Sequence, residues 1–156
     1  MLRSDNLRTI KSRVFGDIEV SEKQHIKFPD GILGFEFIKE YYLLDIGESP
    51  FYSLQAVGEA EIAFILIQPE TFMKDYLLLV SNSDLELLGV EDKDDRLDFA
   101  IVTVPENPAE MTANLQGPII VNRKTRIARQ AISLNEEYCT KHPILSALQE
   151  KNRGGS

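Results

Sequence analysis

Hydrophobic and polar positions alternate along this chain in short runs, broken at intervals of about 8–12 residues by glycine, proline and small polar residues. A period of two puts successive side chains on opposite faces of a strand, so the pattern reads as β. Strands are predicted over 12–15 and 18–20, around the hairpin signal Gly16-Asp17, and over 25–28. That alternation stops at Pro29-Asp30-Gly31, where proline fixes φ and glycine can take φ above zero. Further strands are predicted over 41–46, 51–57, 62–67, 76–80, 98–104, 119–122 and 127–134, the last two joined by the polar tip Arg123-Lys124-Thr125. Gly117-Pro118 ends one segment before Ile119 opens the next.

Helical signals are short. Ser21 and Gln24 have the spacing of a capping box with room for one turn. Pro69 opens a turn of helix through Met73, suited to a first helical position because its missing N–H would be unpaired there anyway. A segment over 83–88 is capped by Ser83 and stopped by Gly89. The last helix is predicted over 143–150, with Ile144, Leu145 and Leu148 as its apolar stripe, and KNRGGS after it as a flexible tail or appended remnant. The expected fold is mostly β, a small antiparallel β-barrel with a few short helices. It forms a single β-barrel-like domain over 1–150, followed by the tail 151–156.

Composition narrows the setting. With 156 residues the chain can bury a full core without disulfide or metal, and 43% hydrophobic against 27% charged residues suits a soluble domain. No apolar run approaches the roughly 18 residues of a membrane span. The N-terminus lacks the continuous apolar stretch of a secretory signal, and Cys139 is the single cysteine, so a reducing cytoplasmic location is expected. Net charge is −8, unevenly spread: from Asp30 to Glu110 eighteen acids face four bases, a net of −14. Such a block repels nucleic acid and attracts basic protein surfaces. A stripe of Arg123, Lys124, Arg126 and Arg129 is the competing feature, one that predicts salt-sensitive RNA binding.

Catalytic and metal chemistry find little support. His25 and His142 lie far apart and neither has a metal-ligand spacing, so no metal and no cofactor are expected. The run EDKDDRLDF (91–99) fails as a calcium loop, because Arg96 stands at the third ligand position and Leu97 where glycine is required. Gly31 to Gly34 lacks both the spacing and the lysine of a phosphate loop. Cys139 and His142 are three apart and could share one helical face, which leaves a small hydrolase using a thiolate–imidazole pair as the alternative reading. In TANLQGPIIVN (112–122), Asn114 and Gln116 precede a strand entry, where side-chain amides commonly satisfy backbone groups left unpaired at a turn or bulge. Direct contact with a partner is the other use open to them.

Several stretches together carry a family likeness: FPDGILGF (28–35), FYSLQ (51–55), AFILIQP (63–69) with Asp75-Tyr76, IVTVP (101–105), TANLQGPIIVN, and the closing YCTKHPI (138–144). In this order, over about residues 9–146, the chain resembles the FliW flagellar assembly factors. It departs from the family pattern at Leu33 (usually Pro), Ala128 (frequently Gly) and Ile144 (usually Leu). The resemblance implies a non-enzymatic cytoplasmic regulator of β-barrel fold. Such a regulator binds flagellin and, when free of it, captures the RNA-binding translational repressor CsrA, with no direct nucleic-acid contact and no membrane.

Under that reading the candidate partner-binding residues are Glu91, Asp92, Asp94 and Asp95 from the acid block, Asn114 and Gln116, and Tyr138, Lys141 and His142 of the closing motif. Phe35, Phe37, Tyr41 and Tyr42 are candidate apolar anchors wherever they are exposed, although such aromatics more often pack in a core. The segment 138–148 either gates a groove for an apolar helix or packs as a C-terminal helix.

Overall fold

The computed structural model describes residues 7–154, with side chains to residue 149. Strands β1 (Leu7–Ser12) and β2 (Gly16–Ser21) form an antiparallel hairpin. Then come β3 (His25–Lys27), β4 (Glu40–Asp45), β5 (Phe51–Ala56), β6 (Ala63–Ile67), β7 (Arg96–Thr103), β8 (Thr112–Asn122) and β9 (Ala128–Gln130). Each pairs antiparallel with the next. Lys27 N–H donates to the Arg126 carbonyl at 3.0 Å and Lys27 pairs in parallel with Ile127, which joins the first strand of the sheet to the last. The result is a nearly closed seven-stranded barrel. β10 (His142–Pro143) adds beside the start of β8, and α1 (Asn82–Leu88) and α2 (Leu145–Gly154) are the two α-helices among the described residues.

Alternate positions fill the interior. Tyr41, Leu54, Leu66, Phe99, Ile119 and Val121 point inward, and the loop after β3 closes one end with Phe28, Ile32 and Ile38. Several of their chain neighbours, such as Tyr42, Ala100 and Ile120, are apolar too, and the reason lies outside the barrel, where three pieces cover it. The β1–β2 hairpin packs Ile10 and Val20 on Tyr42. Leu88, Val90 and Ala131 cover Ile120. Phe72 and Ile144 cover Ala100, Val102, Ala113 and Leu115. Strands covered on both faces read as continuous apolar runs, as Ile119-Ile120-Val121 does.

The architecture agrees with the expected class, while several boundaries differ. The first strand ends at Ser12, not Phe15: Gly16 takes φ 73° to open β2, and the turn is 13–15. Residues 76–80 are extended but join no strand ladder. Gly117-Pro118 does not separate two segments; both lie within the eleven-residue β8. β9 covers only Ala128–Gln130, after which the chain stays extended, with Ala131 N–H donating to Pro118 O and Ser133 N–H to Gln116 O. Ser81, not Ser83, caps α1, its hydroxyl accepting from Asp84 N–H at 3.2 Å. The final helix starts at Leu145, directly after the buried Ile144 and two residues after the exposed Pro143, and continues to Gly154, so residues 151–154 of the expected tail are helical. Cys139 and His142 share no helical face, because Cys139 sits in an exposed irregular segment and His142 in β10.

Tyr41 is fully buried, and its hydroxyl has no hydrogen-bond partner among the described residues. Burial pushes the phenol up to about 12. A buried hydroxyl without a partner loses its hydration and gains nothing in return. Tyr41→Phe should therefore leave stability unchanged or raise it by about 1 kcal/mol in urea denaturation. A loss of that size instead would mean that the hydroxyl is satisfied inside the barrel.

Candidate functional site

Between the pairs Phe99–Ile119 and Ile101–Asn114, β8 sets residues 115–118 against the single residue Ala100, a wide bulge. Asn114 holds it: its Oδ1 accepts from Gln116 N–H at 2.9 Å and Gly117 N–H at 3.0 Å. Pro118 has no N–H to leave unpaired. At Gly117 a Cβ would lie 2.9 Å from Gln130 Nε2 and 3.2 Å from Asn114 Nδ2, so a side chain would displace both amides. Gln130 Nε2 donates to Gly117 O at 3.3 Å, and its Oε1 accepts from Leu33 N–H at 2.9 Å. Bulge and barrel-end loop are thereby tied together. Gln116 itself is exposed.

These elements border a groove of 420 Å³ lined by Asp30, Leu33, Glu36, Asn114, Gln116 and Ile132, among others. Arg129 fixes one wall, its Nε donating to Asp84 Oδ1 at 2.7 Å and its Nη1 to Asp30 Oδ2. The Asp84 hydrogen bond is the main cause that raises the Arg129 pKa. Because the Arg126 guanidinium likewise donates to Lys23 O, two of the four bases of the supposed nucleic-acid stripe are occupied by this chain's own acceptors.

The acid cluster occupies a different place. Asp92 caps a one-turn 3-10 helix, Lys93–Asp95, and Asp95 Oδ2 accepts from Glu91 N–H at 3.1 Å and Asp92 N–H at 3.0 Å. The bonds from Asp92 and Glu91 hold the Asp95 carboxyl below the usual carboxylate range. Asp95 thus has a structural task beside the capping one of Asp92, and Glu91, Asp92 and Asp94 remain exposed charges on the turn. Arg123 and Lys124 border the adjoining 560 Å³ depression. The hairpin that carries them is shaped by Asn122, whose Oδ1 accepts from Lys124 and Thr125 N–H and whose Nδ2 donates to Leu88 O at 2.7 Å.

Of the closing motif, Tyr138 stacks on Tyr76 at 5.5 Å, and its hydroxyl accepts from Leu77 N–H at 3.0 Å. His142 stacks on Phe72 at 5.6 Å and Lys141 is exposed. With Ile144 fully buried and Ala147 and Leu148 packed beside it, segment 138–148 is docked on the barrel. Among the aromatics, Tyr41 and Tyr42 are core residues, Phe35 packs edge-on against Phe64, and Phe37 is exposed. Gln130 was not singled out from the sequence. Its only signal is a polar residue inside an apolar-rich run, which does not say which backbone groups it serves.

Among the described residues, no group of three or more His, Cys, Asp or Glu is placed to hold a metal ion. No described helix is long and apolar enough to cross a membrane.

A family model described as FliW protein matches residues 9–144. The flagellar assembly factor FliW of Leptospira biflexa is 45% identical over 144 residues, covering 91% of this chain and 94% of that protein. The one of Treponema denticola is 40% identical, covering 92% and 98%. A crystal structure of the flagellar assembly factor FliW superposes with a TM-score of 0.79 at 35% identity, covering 87% of this chain and 96% of that one.

Proposed function

The chain belongs to the FliW family of flagellar assembly factors, and from that premise we propose that it is a non-enzymatic cytoplasmic regulator. It binds flagellin and, when free of it, binds and antagonises the RNA-binding repressor CsrA, relieving repression of flagellin translation. One observation carries the second half of this reading. The turn at Asp92 presents Glu91, Asp92 and Asp94 as exposed carboxylates, and Asp95, bonded to two backbone N–H groups, keeps that turn in shape. An RNA-binding protein must display positive charge, so a fixed acidic projection steers encounter with it and opposes the approach of phosphate.

The test uses three substitutions together, Glu91→Gln, Asp92→Asn and Asp94→Asn, and leaves Asp95 in place. Association with purified CsrA should slow by about tenfold at low salt, with a flatter dependence on ionic strength. An unchanged association rate removes the acid turn from the reading. A competition pull-down with flagellin and CsrA examines the exchange itself: mutual exclusion is expected, and failure to bind either partner overturns the function. The hydrolase alternative gains no support, since Cys139 has no hydrogen bond to His142 and the His142 ring is engaged with Phe72.

A further inference from the structure

The run Tyr76-Leu77-Leu78-Leu79-Val80 is apolar at every position, which for an extended segment signals cover on both faces. Only one face is covered here. Leu78 and Val80 pack inward on Leu88, Val90 and Ile120, whereas Leu77 is 54% and Leu79 is 42% exposed. Beside it, Leu134 N–H donates to Leu79 O at 2.7 Å, so residues 131–134 continue the same surface. Their alternation repeats: Ala131 is buried, while Ile132 and Leu134 face out at 76% and 62% exposure. Leu33, 81% exposed, shares the groove with Ile132 and extends the row to the bulge.

We propose that this outward row, Leu77, Leu79, Leu134, Ile132 and Leu33, is the seat for an amphipathic helix of a partner protein, one with an apolar stripe flanked by basic residues. The row offers side chains on a face, not a free strand edge, and faces are where helices dock. Outward residues two apart on an extended segment recur at about 6.6–6.8 Å, close to the roughly 5.4 Å of one helical turn, so successive turns of a helix can meet successive leucines. Charge fixes the flanks of the occupant. Asp75, Glu136 and Glu137 are exposed next to the row and outnumber the exposed Lys74, and Glu36 lines the groove at its end, where Asp30 is already paired with Arg129. An apolar surface with an acidic border selects a helix bordered by lysine or arginine. Within the function proposed above, which this inference rests on for its natural partner, the seat belongs to flagellin.

The probe is an 18-residue Leu/Lys peptide whose leucines form one helical stripe, compared with a peptide of identical composition in scrambled order. Binding to the full chain is followed by fluorescence anisotropy, and the variant is Leu79→Ser with Leu134→Ser, both exposed positions whose loss leaves the core intact. The striped peptide should bind, the scrambled one should bind at least about tenfold more weakly, and the double variant should lose affinity by about tenfold or more. Equal binding of the two peptides, or full affinity of the variant, overturns the proposal, as does sedimentation showing that the unmodified chain dimerises and the variant does not. Purified flagellin forms a separate arm. If it binds the chain and the double variant equally, the seat is wrong and the function stands; if it binds neither, the function falls.

Discussion

Gly31→Ala is expected to lower stability by about 3 kcal/mol, the sum of two effects. Gly31 has φ 72°, a left-handed conformation that costs an L-residue roughly 1–2 kcal/mol. Its missing Cβ would also lie 2.5 Å from Glu36 Cα and 2.9 Å from Glu36 O, backbone atoms that cannot swing aside, and such overpacking costs about 1–3 kcal/mol. The affected loop carries Ile32 and Ile38 into the end of the barrel core and Leu33 into the groove. Gly34→Ala is the matched control. Gly34 has φ 88° but open space where its Cβ would stand, so only the conformational part applies. Thermal melts should show a fall of roughly 6–12 °C for Gly31→Ala and about half that or less for Gly34→Ala. Equal falls would show that the approach of Glu36 adds nothing.

Arg96→Met should cost about 3–5 kcal/mol at pH 7, because it strands a buried carboxylate. The Asp98 side chain is 5% exposed and its Oδ1 accepts from Arg96 Nε at 3.0 Å. Burial pushes the Asp98 pKa up, and Arg96 opposes that push without cancelling it. A carboxyl whose folded-state pKa lies above its unfolded value near 3.9 favours folding fully below that value, and the benefit fades as pH rises through the folded pKa. Removing Arg96 raises the folded value further. The gap between the two proteins should therefore be wide at pH 7 and narrow towards pH 4, where the protonated acid needs no cation. Urea denaturation at several pH values measures this, and a gap independent of pH would rule out the lost charge pairing as its cause. Adding Asp98→Asn to Arg96→Met should recover most of the loss.

Both expectations depend on features that the chain spells out unequally. Strand content was legible, since alternation at Tyr41, Leu54 and Phe99 survives into the barrel. The Ser21–Gln24 box was legible because its chemistry is local: Ser21 Oγ accepts from Lys23 N–H and Gln24 Oε1 from Ser21 N–H. The bulge was not legible, because Gly117-Pro118 signals a break only to a reader who does not know that Asn114 and Gln130, from two different strands, will hold the strand through it. Ser81 and Ser83 both offer a capping hydroxyl two residues apart, and only the folded chain shows that Ser81 accepts from Asp84 N–H and starts the helix. At the candidate sites, sequence located the acids but not their division of labour. That Asp95 serves the backbone while its neighbours face solvent depends on a turn geometry which composition does not contain.

The barrel is joined at its seam by one parallel pair, Lys27 with Ile127, a hundred positions apart in the chain. Within the sheet, β6 joins β7 across residues 68–95 and β8 joins β10 across 123–141, and the remaining junctions link strands closer still in the sequence. Bringing the seam together demands the largest loop-closure entropy in the molecule and returns few backbone bonds for it. The cylinder is therefore expected to close last as the protein folds and to open first when it breathes.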